Sequence, residues 1–201
     1  MSKVKSTKED YLKQNLQKSL ASVSSFSTPD RSSPRQKFSK VPFSNEFLDK
    51  LKTALDSIQI DGDLPELANV YLIGNGGSSA IASHITNDLV KHGVSAHALN
   101  DAATLTCFAN DYGYEHVYSA QILRHDGSVL VAISSSGHSI NILSAVATAK
   151  DKGMKVVTLS GFAPDNPLRG KGDCNFYVPS YNYGIVECSH LAILHSIVNP
   201  G

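Results

Sequence analysis

A short apolar strand, a glycine-rich turn and a helix follow one another in the middle of this sequence, and this unit restricts the possible folds most. Val70 to Ile73 is rich in β-forming residues, as expected of a buried parallel strand. Gly74 to Gly77 gives the backbone freedom for a tight turn, and apolar residues recur at helical spacing from Ser78 to Lys91. The turn therefore gathers N–H groups at a helix N-terminus, which favours an anion such as phosphate. An ordinary βα loop that needs glycine only for its geometry is the alternative.

The same unit recurs further along the chain. Ser128 to Ile133 is a buried strand, Ser134 to Ser139 is a turn with four serines around one glycine, and Ile140 to Lys152 is a helix ended by Gly153. Neither turn has the Gly-Lys-Ser/Thr ending of a nucleoside triphosphate loop, and the Gly-x-Gly-x-x-Gly pattern of dinucleotide sites is absent. A cradle of hydroxyls and amides suits a single phosphomonoester, unless the serines serve only as the N-cap of the helix.

Further strands and helices alternate after these turns, which indicates an α/β fold with a parallel sheet covered on both faces. Ser95 to Leu99 is polar enough for an edge strand, Asn110 to Gly113 is a predicted turn, and Gly161 to Gly172 is a predicted solvated loop. The other predicted strands are Lys155–Leu159 and Asn175–Val178, and the other helices are Ala102–Ala109, Val117–Leu123 and Ile185–Val198. Ligands of such folds bind beyond the carboxyl ends of the strands, where the strand order reverses.

Two amphipathic helices precede this core. Lys8 to Ser24 and Asn45 to Ile58 each carry one apolar stripe, and Ser25 to Pro42, rich in serine, proline and basic residues, is a predicted mobile connection. Such helices pack either on the core or on a second subunit, and we favour oligomerisation. The chain therefore divides into residues 1–44, an N-terminal helix with a flexible link, and residues 45–201, the α/β domain.

Composition excludes several classes of function. The chain of 201 residues has a formal net charge of zero, so nothing predicts binding to nucleic acid. No apolar run approaches the length that crosses a membrane, and the polar N-terminus does not resemble a signal peptide. The three cysteines lie in unrelated contexts and form no disulfide framework. We expect a cytoplasmic protein with no membrane partner.

The motifs together resemble those of sugar isomerase (SIS) domains. They are Gly-Asn-Gly-Gly-Ser from Gly74, Ala-Asn-Asp-Tyr-Gly from Ala109, the serine turn from Ser134, and a C-terminal helix with two histidines. Between Leu48 and Val198 their order and spacing are most similar to the phosphoheptose isomerase family. The resemblance implies a three-layer, doubly wound, flavodoxin-like parallel sheet with N-terminal helices. It also implies a homotetramer with active sites between subunits, and a role in carbohydrate metabolism such as lipopolysaccharide biosynthesis.

The resemblance further implies which residues contact a phosphorylated sugar substrate. The serine turn would hold the phosphate through Ser134, Ser135, Ser136 and Ser139. The rest of the substrate would lie against Asn75, Gly76, Gly77, Ser78, Asn110, Asp111 and Glu187.

A zinc site is implied as well, because the family gathers a helical His-x-x-x-Glu and a later Gln and His around zinc and the proton-transfer groups. The corresponding residues here are His84, Asp88, Glu187 and His195, of which the first two share one helical face. Aspartate shortens the reach by one methylene, and glutamate in place of glutamine adds a negative charge. These departures leave a chemically suitable set of ligands, but they also fit a branch that acts on a different sugar or has lost turnover. His190 is predicted to pack rather than to bind an ion.

The implied reaction is aldose–ketose isomerisation of D-sedoheptulose 7-phosphate to D-glycero-D-manno-heptose 7-phosphate. A base removes a proton beside the carbonyl, a metal-assisted enediolate forms, and a proton returns to the neighbouring carbon. We assign the base to Asp88 and its acid/base partner to His195. Two alternatives stay open: an isomerase of another phosphosugar, and a non-catalytic SIS module that binds a phosphosugar or serves as a protein scaffold.

Overall fold

The structure, a computed structural model, describes residues 45–199. The helix predicted from Lys8 to Ser24 and the link from Ser25 to Pro42 lie outside these residues, so the division of the chain at residue 44 remains a prediction. None of the helices between residues 45 and 199 is both long enough and apolar enough to cross a membrane.

Six α-helices and six strands make up the described part of the chain. The helices are α1 (Asn45–Asp56), α2 (Gly77–Lys91), α3 (Ala102–Tyr112), α4 (Ser119–Ile122), α5 (Ile140–Asp151) and α6 (Tyr183–Val198). The strands are β1 (Gln59–Gly62), β2 (Asn69–Gly74), β3 (Ser95–Ala98), β4 (Val129–Ser134), β5 (Lys155–Gly161) and β6 (Cys174–Val178). A 3-10 turn over Tyr114–His116 lies between α3 and α4. Every strand and helix predicted within these residues is present, with bounds that differ by a few residues.

The six strands form one sheet in the order β1-β6-β5-β4-β2-β3. Strands β6 to β3 in this order are mutually parallel, whereas β1 is antiparallel to β6. The parallel part has the doubly wound order of flavodoxin-like folds, and β3 lies at the edge as predicted. Because the chain runs outward from β2 to β3 and then returns to β4, the strand order reverses between β2 and β4. The two Gly- and Ser-rich turns follow these two strands.

Alternate strand residues pack helices onto both faces of the sheet. Val70 and Leu72 of β2 belong to a core that includes residues of α1, α2 and α6. Tyr71 and Ile73 belong to a second core, formed with α4 and α5. All six residues of β4 are buried, as expected of a central strand covered on both sides. The predicted three-layer arrangement is confirmed.

Two predictions of secondary structure need correction. The sheet is not wholly parallel, because the sequence gives no sign of β1: its four residues are all exposed and carry no apolar alternation, and pairing with β6 is what makes them a strand. Helix α3 also continues through Asn110, Asp111 and Tyr112, which were predicted to form a turn, and ends at Gly113 with φ 89°. The Asp101 side chain accepts a hydrogen bond from the Thr104 N–H and caps the start of this helix.

The loop from Gly161 to Gly172 is more firmly packed than a solvated loop would be. Asn166 and Leu168 are buried within it, with 3% and 0% exposure. The Arg169 guanidinium lies 4.0 Å from the centroid of the Tyr177 ring and donates to the backbone oxygen of Pro164 at 2.8 Å. These contacts fix the loop beside β6, so Arg169 serves packing.

Candidate functional site

Glycine is required where the chain turns from β2 into α2. Gly76 has φ 55° and ψ −123°, a backbone conformation that other residues adopt only with strain. The Glu187 carboxylate of α6 packs directly over Gly77, and a Cβ added there would lie 2.5 Å from Glu187 Oε1. This glycine-rich turn thus combines an unusual backbone with a close approach of a carboxylate.

The serine turn after β4 is not explained by helix capping. Ser139 is the N-cap residue of α5, but its side chain makes no capping hydrogen bond and instead lies 3.3 Å from Ser134 Oγ. The Ser135 hydroxyl is buried and has no hydrogen-bond partner among residues 45–199. Buried hydroxyls are rarely left unpaired. A phosphate at the N-terminus of α5 would use these groups, since backbone N–H donors and the helix dipole favour an anion there.

Two asparagine side chains join the turns across the point where the strand order reverses. Gly74 pairs with Ile133 in the register of β2 and β4, so the turns leave the sheet side by side. Asn75 Nδ2 donates to Asn141 Oδ1 at 3.0 Å, and Asn141 Nδ2 donates to Asn75 Oδ1 at 2.9 Å. The reciprocal pair links the start of α2 to the start of α5.

Two tyrosines spaced i, i+4 donate hydrogen bonds to Gly74 and Asn75, at the start of the glycine-rich turn. The Tyr114 hydroxyl donates to Asn75 Oδ1 at 3.1 Å, and the Tyr118 hydroxyl donates to the Gly74 backbone oxygen at 2.6 Å. Burial raises the pKa of Tyr118 to about 12, so this hydroxyl keeps its proton. Neither the two tyrosines nor Asn141 are predicted from the sequence to belong to the site. Their only local signals are the i, i+4 spacing of the tyrosines and the position of Asn141 two residues after Ser139.

Three of the four predicted metal ligands come together between α2 and α6. One donor atom from each of His84, Asp88 and His195 lies within 4.8 Å of the others. Asp88 Oδ2 is 3.5 Å from His84 Nε2 and 3.6 Å from His195 Nδ1, while Asp88 Oδ1 is 3.3 Å from Lys91 Nζ. The i, i+4 spacing on α2 aligns the first two ligands, and the packing of α6 on α2 brings the third.

This set of donors fits a divalent metal ion. Two atoms bound at about 2.0–2.2 Å to one tetrahedral zinc ion lie roughly 3.3–3.6 Å apart, as Asp88 Oδ2 does from each imidazole nitrogen. Two imidazoles and one carboxylate are a common catalytic zinc set that leaves a position open for substrate or water. The Asp88 side chain is 14% exposed, whereas those of His84 and His195 are 53% and 39% exposed, so the group is open to solvent on one side.

Glu187, the fourth predicted ligand, is not part of this group of donors. Its carboxylate packs against Gly77, at the first residue of α2. A carboxylate is favoured there by the positive end of the helix dipole. Glu187 therefore lies with the residues predicted to contact substrate, and His84, Asp88 and His195 form a group without it.

The remaining predicted residues differ in their surroundings. Asn110 and Asp111 are exposed at the end of α3, where Asn110 Nδ2 donates to Asp111 Oδ1 at 3.0 Å. No hydrogen bond joins them to the two turns within the described residues. His190 is fully buried and its Nε2 lies 3.1 Å from the Ser160 backbone oxygen, so the prediction that it packs is confirmed.

Comparison with known proteins gives a consistent result. Residues 62–161 match the SIS domain family. The chain is 41% identical over 155 residues to the phosphoheptose isomerase of Leptospira biflexa serovar Patoc, covering 72% of this chain and 76% of that protein. The structure is similar to that of phosphoheptose isomerase from Neisseria gonorrhoeae, with a TM-score of 0.62, 25% identity and coverage of 96% and 98% of the two chains. The enzyme from Francisella tularensis gives a TM-score of 0.61 at 26% identity, covering 96% of this chain and 97% of that one.

Proposed function

The chain belongs to the phosphoheptose isomerase family of SIS-domain proteins and is a phosphosugar isomerase, and on that premise we propose its substrate and mechanism. The proposed reaction is the conversion of D-sedoheptulose 7-phosphate to D-glycero-D-manno-heptose 7-phosphate. The observation that carries the proposal is the pair of turns at the reversal of strand order. The Ser139 side chain does not cap α5, and the buried Ser135 hydroxyl has no hydrogen-bond partner among the described residues.

The substrate phosphate would bind at the N-terminus of α5. Ser134, Ser135, Ser136 and Ser139 would donate hydroxyl groups to it, and the helix dipole would add to the attraction. The sugar would then extend along the glycine-rich turn, past Asn75, Gly76, Gly77 and Ser78, toward Glu187. Asn110 and Asp111, both exposed, would contact its hydroxyl groups.

Proton transfer would take place beside the His84–Asp88–His195 group. Asp88 is the proposed base for the proton on the carbon next to the carbonyl, and His195 is the proposed partner that returns a proton to the neighbouring carbon. Asp88 and His195 lie side by side, with 3.6 Å between Oδ2 and Nδ1, so both side chains can approach the same part of a bound sugar. A zinc ion held by these three residues would supply Lewis-acid stabilisation of the enediolate oxygen.

Assembly and location also belong to the proposal. The exposed apolar side chains of α1, among them Phe47, Leu48 and Leu55 at 39%, 46% and 36% exposure, support burial against another subunit. We propose a homotetramer on this basis and on that of the family. The cytoplasmic location and the role in lipopolysaccharide biosynthesis remain predictions from the sequence.

Turnover of D-sedoheptulose 7-phosphate and metal content, measured on the same purified sample, test the proposal. Turnover with about one zinc per chain is the expected result. Metal without turnover of this sugar would replace the proposed substrate by another phosphosugar. Absence of both metal and turnover would contradict the metal-assisted mechanism and favour the binding module.

A further inference from the structure

The amide of Asn75 has its orientation fixed by a backbone group. The Ile142 N–H donates to Asn141 Oδ1 at 3.0 Å and, as a shared donor, also to the Ser139 backbone oxygen at 3.0 Å. Because a backbone N–H can only donate, the atom that faces it must be the amide oxygen, and the other atom of the Asn141 amide must be nitrogen. The reciprocal pair with Asn75 then orients the second amide as well: Asn75 Oδ1 faces Asn141 Nδ2, and Asn75 Nδ2 faces Asn141 Oδ1.

Both acceptor positions of the Asn75 oxygen are occupied by protein donors. Asn141 Nδ2 fills one at 2.9 Å, and the Tyr114 hydroxyl fills the other at 3.1 Å. The hydroxyl must be the donor in this contact, because the atom it faces is an oxygen whose identity Asn141 has fixed. Nothing more can donate to this oxygen without displacing one of them.

The Asn75 nitrogen, in contrast, keeps one hydrogen to offer. One of its two N–H groups donates to Asn141 Oδ1 at 3.0 Å. The other has no acceptor within residues 45–199, and the residue is only half-buried. Hydrogen bonds accepted by an amide oxygen also polarise its N–H groups and strengthen them as donors.

We propose that Asn75 acts toward the substrate only as a hydrogen-bond donor, and that Tyr114 and Asn141 are the positioning residues that fix this polarity. The inference rests on the proposed function, in which Asn75 lines the sugar. An oriented N–H donor of this kind matches the oxygen on which negative charge develops in an enediolate. The Asn75 oxygen is held by Asn141 and Tyr114, so it does not face and repel that substrate oxygen. Asn141, the second residue of α5, joins this donor to the helix at whose N-terminus the phosphate is proposed to bind.

The direct test is Tyr114→Phe, which removes one hydroxyl from a side chain that is 57% exposed and therefore leaves the core intact. The matched control is Tyr112→Phe, whose hydroxyl lies 3.0 Å from Arg124 Nη2 and does not touch Asn75. Both variants and the wild type are assayed as zinc-loaded full-length protein with the phosphosugar that the wild type converts. A sugar-phosphate hydroxamate, which mimics the enediolate, and inorganic phosphate serve as two binding probes.

Tyr114→Phe should lower kcat roughly three- to tenfold with little change in KM, the effect expected from one neutral hydrogen bond used more in the transition state than in the ground state. Hydroxamate affinity should fall by a similar factor, while the affinity for inorganic phosphate stays constant. Tyr112→Phe should match the wild type in all three measurements. Equal kcat values for the two variants, or equal losses of hydroxamate and phosphate affinity, would overturn the proposal.

Asn141→Asp gives an independent second test. An ionised aspartate places an oxygen opposite Asn75 Oδ1, so the Asn75 amide must lose that contact or rotate and present its oxygen to the substrate. We expect a larger loss of kcat than in Tyr114→Phe, and unchanged kcat in a folded Asn141→Asp variant would overturn the proposal. If the wild type converts no phosphosugar, the proposed function fails. The hydroxamate and phosphate affinities of the variants still decide the polarity of Asn75 in that case.

Discussion

The side chain of Asn166 fills the space that a side chain on Gly137 would need. A Cβ built on Gly137 would lie 1.9 Å from Asn166 Oδ1, and Gly137 has φ 68°. Asn166 is held there because its Nδ2 donates to the backbone oxygens of Gly161 at 3.1 Å and Ala163 at 2.9 Å. The loop from Gly161 to Gly172, which follows the neighbouring strand β5, thus packs against the serine turn through Asn166.

We therefore expect Gly137→Ala to disrupt the serine turn. The left-handed backbone costs about 1–2 kcal/mol for a non-glycine residue, and the overlap with Asn166 adds about 1–3 kcal/mol. Gly153→Ala is the matched control, because Gly153 has φ 75° but nothing lies within 4 Å of the added Cβ. Urea denaturation should give a clearly greater loss of unfolding free energy for Gly137→Ala, together with weaker phosphate binding. Equal losses in the two variants would contradict the role of Asn166.

The three-residue donor group predicts that metal content depends on a residue of the last helix. His195→Ala should remove most of the zinc that the wild type retains after dialysis, because two ligands on one helix face form a much weaker site. Metal analysis of the purified protein measures this directly. His92→Ala is the control: His92 Nε2 lies 2.8 Å from Asn199 Oδ1, also between α2 and the end of α6, but His92 is outside the donor group. Full zinc retention in His195→Ala would exclude His195 as a ligand.

Replacing the proposed base should abolish turnover while the fold is kept. Asp88→Asn removes the proton acceptor and should lower kcat at least about 100-fold, the lower range for general acid–base catalysis. Asp88→Glu restores the residue type implied by the family resemblance and should retain measurable turnover. Asp151→Asn, an exposed change at the end of α5, should behave as the wild type. Normal kcat in folded Asp88→Asn would remove Asp88 from this role.

Buried His190 predicts a loss of stability in mild acid. Burial lowers the pKa of His190 to about 4, whereas the ordinary pKa of histidine is 6.5. Because the unfolded chain then binds a proton more readily than the folded one, stability should fall as the pH drops below 6.5 and level off near pH 4, by about 3 kcal/mol in total from this residue.

The variant His190→Gln isolates this effect. Glutamine keeps an N–H donor for the Ser160 oxygen but does not titrate in this range. The difference in unfolding free energy between the wild type and the variant, measured by urea at pH 7 and pH 5, should shrink at pH 5. A difference that stays the same at both values would show that His190 does not carry the acid sensitivity.

Sequence alone determined the features of this protein that depend on near neighbours. Apolar periodicity specified the helices and the five parallel strands between residues 45 and 199, and the glycine and serine content predicted the turns after β2 and β4, because backbone freedom and helix starts are set within a few residues. The i, i+4 spacing of His84 and Asp88 likewise predicted that they share one face of α2. Motif order was also sufficient for the family.

Only the tertiary structure decided which distant residues meet. Strand β1 exists because β6 pairs with it, and the Asn75–Asn141 amide pair exists because β2 and β4 are neighbours in the sheet. Packing of α6 on α2 brings His195 to Asp88. Because Gly77 has no side chain, the Glu187 carboxylate packs against it and lies outside the His84–Asp88–His195 group. Contacts of this kind depend on strand order and on how helices lie across the sheet, and no local pattern of residues encodes either.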